Sequence, residues 1–243
     1  MKKIIILLSA VVSIGLTIFF SILPLNGLSQ ADVSGLYPTF ITPAGYTFSI
    51  WGMIYLSWIF LGLYLLYKKH NEILTKEYLY LASAMLLSAV WLIPWHYQII
   101  CITFSIIFLI LGILYYLIIY PPKNLVFRKI SELYFGWILI ATILNLHVFL
   151  VFSNKYEYGL ELSIISILFG IYANYYLLKK YDTYISSLVF IWALLGIIIG
   201  QTNDYITITS IIGIFIITSK VIYKITKYNR EIKENRFKKF WKK

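Results

Sequence analysis

Apolar positions along the chain come in long blocks separated by short polar breaks. Eight blocks stand out, over residues 4–23, 45–67, 78–97, 99–120, 133–152, 159–178, 184–200 and 205–223. Most of them reach the roughly 20 apolar residues that a helix needs to cross a bilayer; the seventh is short. Backbone polar groups find no water in hydrocarbon, so such blocks are read as helices. Pro121 and Pro122 stop the fourth block, because proline cannot continue a helix. Residues 24–42 form a Gly- and Pro-containing polar loop with Asp32 and Pro38, and Pro43 follows it. Met1-Lys2-Lys3 gives the first block the look of a signal peptide. Its apolar run exceeds the ~7–15 residues of such a segment and no Ala-x-Ala site follows, so a retained first helix is expected.

Composition agrees with this pattern. The 243 residues are 60% hydrophobic and 13% charged, which is more apolar surface than a soluble fold of this size can hide. The distribution of charge then fixes the count of spans. With the N-terminus inside, 20 of the 21 basic residues fall in segments on one side, and Lys155 alone falls on the other. A missing or extra span would scramble that alternation. Eight spans, both termini cytoplasmic and a multi-pass location in the cell membrane are therefore expected. The net charge of +11 reflects this bias and gives no reason to expect a nucleic-acid partner. Residues 220–243 carry ten of the basic residues, with Val221, Ile225, Tyr228 and Ile232 at helical spacing and Phe237, Phe240 and Trp241 beyond. Two readings stay open for this tail: a basic amphipathic helix on anionic lipid, or a solvated segment that sets topology.

Candidate chemistry is aromatic rather than ionic. His70, His96 and His147 lack the spacing of a metal-ligand pair, and no catalytic motif occurs. The carboxylates, Glu132 among them, are expected only in loops and at helix ends, so the usual intramembrane acid of an ion-coupled transporter is missing. The lone Cys101 excludes an internal disulfide and is expected to be an inert, structural thiol. Three blocks carry one-sided series. Trp51, Tyr55, Trp58 and Gly62 step by 4, 3 and 4; Ser88, Trp91 and Trp95 step by 3 and 4, with Pro94 between the last two; Tyr134, Trp137, Ala141 and Asn145 step by 3, 4 and 4. An amide at membrane depth needs a partner, so Asn145 should face the bundle. It could glue a helix–helix contact or contribute to an aromatic-lined ligand site.

The run Tyr134-x-x-Trp137-x-x-x-Ala141-Thr142-x-Leu144-Asn145 resembles the fifth transmembrane helix of the tryptophan-rich sensory proteins, the translocator (TspO/MBR) family. The family usually has proline before the tyrosine and a closing tryptophan; here these are Leu133 and Phe149. Residues 42–55, from Thr42-Pro43-Ala44-Gly45-Tyr46 to Trp51-x-x-x-Tyr55, are similar to the family's loop-to-second-helix signature. Leu87-Ser88-Ala89-Val90-Trp91 is similar to its third-helix Leu-Asn-x-x-Trp. The resemblance covers roughly residues 1–153. It implies a translocator-like five-helix bundle, residues 1–153, with three further spans over 154–223 and a tail over 224–243. It also implies a pocket under the first loop for a porphyrin, haem-like or sterol-like molecule, with no cofactor required and a homodimer as a further expectation. Trp51, Tyr55, Trp91, Trp95, Trp137, Ala141 and Asn145 would line that pocket, under a lid carrying Pro38, Pro43 and Tyr46. The expected role is a receptor-like binder of a flat hydrophobic molecule, sensory or regulatory. The alternatives are a small-molecule or lipid transporter using all eight spans, or an enzyme limited to weak, light-dependent porphyrin breakdown.

Overall fold

The computed structural model describes residues 4–23, 25–67 and 76–240, with side chains up to residue 230. Lys2, Lys3, Pro24, Lys68, Lys69, His70, Glu72 and Trp241 lie outside the described residues, as do the side chains of Ile232, Phe237 and Phe240. Within them the chain is all-helical: α1 (Ile4–Ile22), α2 (Gln30–Gly35), α3 (Ile50–Tyr67), α4 (Lys76–His96), α5 (Ile100–Ile119), α6 (Leu125–Phe152), α7 (Gly159–Tyr181), α8 (Tyr184–Gly200) and α9 (Asp204–Phe240). A 3-10 turn, Gly45–Ser49, leads into α3. Seven of these segments are long and apolar enough to cross a membrane, and α8 is a shorter apolar helix of 17 residues.

Two boundaries differ from the apolar blocks for local reasons. The fifth block starts eight residues early as a helix, because the Asn124 side chain accepts the Phe127 N–H (3.1 Å) and caps α6. Its first turns carry charge, so hydropathy alone passes over them. The polar loop holds a helix of its own, α2. There the Ser29 hydroxyl accepts the Asp32 N–H (3.2 Å) and the Asp32 carboxylate accepts the Ser29 N–H (2.8 Å), a reciprocal cap.

Helices α1, α3, α6, α5 and α4 pack in that order into a closed ring, since α4 returns to α1. On the far side of α6, α8 packs against it, and α9 joins α8 to α7. α6 is thus the post shared by ring and annex. Its most apolar stretch is 61% buried, against 22% for that of α9. Small residues permit the close approaches. A Cβ on Gly62 would stand 2.7 Å from the Leu7 Cβ of α1, and one on Gly136 would stand 2.9 Å from the Ser186 Cα of α8.

The end of the bundle that holds the α5–α6 and α7–α8 turns is polar and locked. Glu132 belongs inside α6 rather than at a helix end, and it is fully buried. Its carboxylate takes Lys129 Nζ at 2.8 Å and the Ile185 N–H at 3.4 Å. Burial is tolerable because the charge is paired and the remaining acceptor sites are engaged. Arg128 donates to the Tyr181 carbonyl (2.6 Å), and Lys224 of α9 donates to the Leu178 carbonyl (2.7 Å) and pairs with Asp182. Helix ends leave carbonyls unpaired, and here side-chain cations satisfy those of α7. Cys101 is exposed on the first turn of α5.

Candidate ligand site inside the five-helix ring

The three aromatic series meet inside the ring. α4 and α6 run parallel, so equal steps along them stay level. Ser88 and Tyr134 hydrogen-bond across the ring, and the Tyr134 hydroxyl also donates to the Ala84 carbonyl at 2.9 Å. Trp58 of α3 meets the Tyr134 ring edge-on at 4.9 Å. These groups form a lower tier, with Trp58 and Tyr134 fully buried. One turn nearer α2, Trp51 stands edge-on to Trp137 at 6.4 Å and stacks on Tyr55 at 5.4 Å. Trp137 is buried, whereas Trp51, Tyr55, Trp91 and Ala141 are half-buried. The Tyr55 hydroxyl reaches Thr17 of α1.

Asn145 sits above this tier and is 5% exposed. Its amide N–H goes to the Ala141 carbonyl of its own helix (2.9 Å), and its Oδ1 has no partner. It therefore makes no hydrogen bond that would glue two helices together. The indole N–H groups of Trp91 and Trp137 are buried without an acceptor as well, as are Trp58 Nε1 and the Ser13 hydroxyl. Buried polar groups are normally paired, and an unpaired one costs about 1–3 kcal/mol. No charged residue occurs in 4–22, 50–67, 78–96, 100–119 or 133–152, so the ring has no built-in counter-ion. Among the described residues no group of three His, Cys, Asp or Glu could hold a metal.

Trp95 belongs to a different neighbourhood. Its ring stacks on Trp91 at 4.9 Å, but its indole N–H donates to the Gln30 carbonyl of α2 at 3.2 Å. It packs with Val33, Ile100 and Val148 in a small cluster beneath α2. Trp91 touches this cluster and the main core alike. Tyr37, whose burial raises its pKa, donates to Gln98 Oε1 at 3.1 Å and ties the exit of α2 to the α4–α5 turn.

The rest of the loop leaves the ring and lies on the annex. Pro38 is exposed. The Phe40 N–H donates to the Tyr156 hydroxyl (3.2 Å), which also meets His147 Nδ1 at 3.0 Å. Ala44 N–H donates to the Gly196 carbonyl of α8 at 2.9 Å, and Gln201 donates to the Thr42 carbonyl at 2.7 Å. Trp192 donates to the Thr47 carbonyl at 3.0 Å and meets Tyr46 edge-on at 5.4 Å. Gly196 and Gly200 make the approach possible: a Cβ on Gly200 would stand 2.5 Å from Ala44 N and 2.9 Å from the Pro43 carbonyl carbon. Pro43 and Tyr46 thus lie against α8, and α2 with Trp95 covers the ring. The sequence signal for α2 was the Ser29-x-x-Asp32 spacing. Gly196-x-x-x-Gly200 gives α8 a small-residue face, but nothing in that spacing says that the loop sits on it.

A cleft of about 360 Å³ opens elsewhere, between α5, α6 and α7, and includes none of these residues. Among curated proteins and among solved structures, nothing significantly similar to the chain is found. The family model described as TSPO-like protein matches residues 3–223, which runs past the five ring helices and through the membrane portion of α9. With the aromatic series of α3, α4 and α6 gathered in one ring and the match spanning nearly the whole chain, the protein belongs to the TSPO-like membrane protein family.

Proposed function

We propose that this chain crosses the cell membrane eight times with both termini in the cytoplasm, and that its ring binds a flat hydrophobic molecule, porphyrin-like or sterol-like, in a sensory or regulatory role. The observation that carries the reading is the set of buried, unpartnered polar atoms on the ring's inner wall: Trp91 Nε1, Trp137 Nε1 and Asn145 Oδ1. Two donors and one acceptor among aromatic faces suit a planar molecule that brings its own acceptor and donor. Stacking on Trp51 and Trp91 supplies affinity, and the polar atoms supply orientation. Without charged walls, the ring suits the uncharged planar body of such a ligand, and any carboxylates it carries stay outside the ring.

The test is quenching of tryptophan emission by protoporphyrin in detergent-solubilised protein. Asn145→Leu keeps all seven tryptophans, so any change reports on binding. About a tenfold rise in Kd is expected for it, the equivalent of one lost buried hydrogen bond, and a larger one for Trp137→Ala combined with Asn145→Ala. Equal quenching in wild type and both variants removes the site. In proteoliposomes the ligand should saturate at a fixed ratio to protein; gradient-driven accumulation would make the chain a transporter instead.

A further inference from the structure

The cleft between α5, α6 and α7 lies outside the ring and calls for an occupant of its own. Its floor is apolar and buried, with Phe135, Leu139 and Leu177 at 2%, 6% and 4% exposure. Its walls are the exposed rings of Phe108 and Tyr115 on α5 and Tyr172 on α7. α5 and α7 flank α6 here, and Gly112 and Ala173 keep the gap open; a Cβ on Gly112 would have nothing within 4 Å.

Depth and charge narrow the choice of occupant. On α5 the lining runs from Phe108, near mid-helix, to Tyr115, one turn from the end; on α7 it runs from Phe169 to Leu177, again one turn from the end. The cleft therefore fills the half of the membrane nearer the basic end of the bundle. At that mouth Lys180 Nζ hydrogen-bonds the hydroxyl of the cleft residue Tyr176 (3.0 Å) and lies over the rings of Tyr176 and Tyr181, at 5.5 and 5.1 Å. Three other cations at this end are held by oxygens of the protein: Lys129 by Glu132, Lys224 by Asp182 and Arg128 by the Tyr181 carbonyl. Lys180 has no carboxylate partner among the described residues.

We infer that this cleft holds one acyl chain of an anionic phospholipid from the leaflet at the basic end, with the phosphate against Lys180. The apolar floor accepts methylenes, the depth matches a single leaflet, and a lysine at the mouth supplies the point charge that a phosphate needs.

The experiment is native mass spectrometry of the full chain in detergent, titrated with phosphatidylglycerol or phosphatidylcholine of identical acyl chains. Wild type should retain one phosphatidylglycerol about tenfold more strongly than phosphatidylcholine. Lys180→Gln, a change on the exposed surface that removes the charge and keeps a side chain able to hydrogen-bond Tyr176, should bring the two lipids near parity. Gly112→Phe, whose ring has open space to enter, should lose both at unchanged melting temperature. Equal retention of the two lipids by wild type overturns the inference, as does a preference that survives Lys180→Gln, which would point to the basic tail. A free fatty acid that binds as well as phosphatidylglycerol would overturn the phospholipid assignment.

Discussion

At Asn145 stability and the proposed ligand binding can be told apart by one substitution. Its amide bonds within its own helix and leaves Oδ1 bare. Leucine is nearly the same size and removes a buried acceptor that nothing satisfies, so Asn145→Leu should leave the melting temperature unchanged or raise it by a few degrees while ligand affinity falls. A clear drop in a thermal melt would instead mark the amide as structural. Two glycines make a second contrast. At Gly200 a methyl group meets the loop backbone at Ala44, which cannot move aside, so Gly200→Ala should destabilise by about 1–3 kcal/mol. At Gly112 a methyl group meets nothing, and Gly112→Ala should stabilise by about 0.5–1 kcal/mol through helix propensity. Melts of the two variants side by side should diverge in sign.

At the scale of elements, the cover over the ring is α2, and the strap that follows it is seated on the annex. Ser29 and Asp32 cap α2 reciprocally, and the hydrogen bonds from Ser29 hold the Asp32 carboxyl below its ordinary value of 3.8. A depressed carboxylate stabilises the fold fully above its unfolded pKa and loses that contribution as pH falls through the folded one. α2 should thus stay docked from neutral pH down to about 4 and loosen only in stronger acid. Trp95 reports it directly, because its indole N–H is bonded to Gln30 of α2; its emission should stay constant to that point and shift to the red below. A shift beginning between pH 7 and 5 would contradict the capping account. Much of the packing inside the ring was legible from spacing: steps of 3 and 4 placed Trp51, Trp91, Trp137 and Asn145 on faces that pack into the bundle. The role of Trp95 was not legible, because it depends on α2, a six-residue helix in a polar loop where hydropathy is silent. Nor was the seat of Pro43 and Tyr46 on α8, since it joins residues some 150 positions apart and spacing reads only along one helix.

For the whole molecule, apolar blocks and loop charge anticipated the helices and their order, because the bilayer allows so few alternatives. They could not show that the ring closes through α1 and α4, or that α6 is shared, because lateral packing in lipid is set by side-chain fit rather than by apolarity. The count of crossings turns on α8. Its 17 residues sit at the short limit for a span, about 25 Å at 1.5 Å per residue. Yet α8 is wedged between α6 and α9, and a stripe that includes Leu188, Leu195 and Ile199 is left exposed, so a short helix can cross with most of its surface on neighbouring protein. If α7 and α8 both cross, Lys155 and Lys180 lie on opposite faces of the membrane, and the end of α9 returns to the face of Lys180. Single cysteines at positions 155, 180 and 243 in a Cys101→Ser background, labelled in intact cells with a membrane-impermeant maleimide, decide the matter. Only Lys155→Cys should react before lysis, and all three after it. Labelling of Lys243→Cys in intact cells would mean that α8 does not span, and the two-sided charge pattern would then need another explanation.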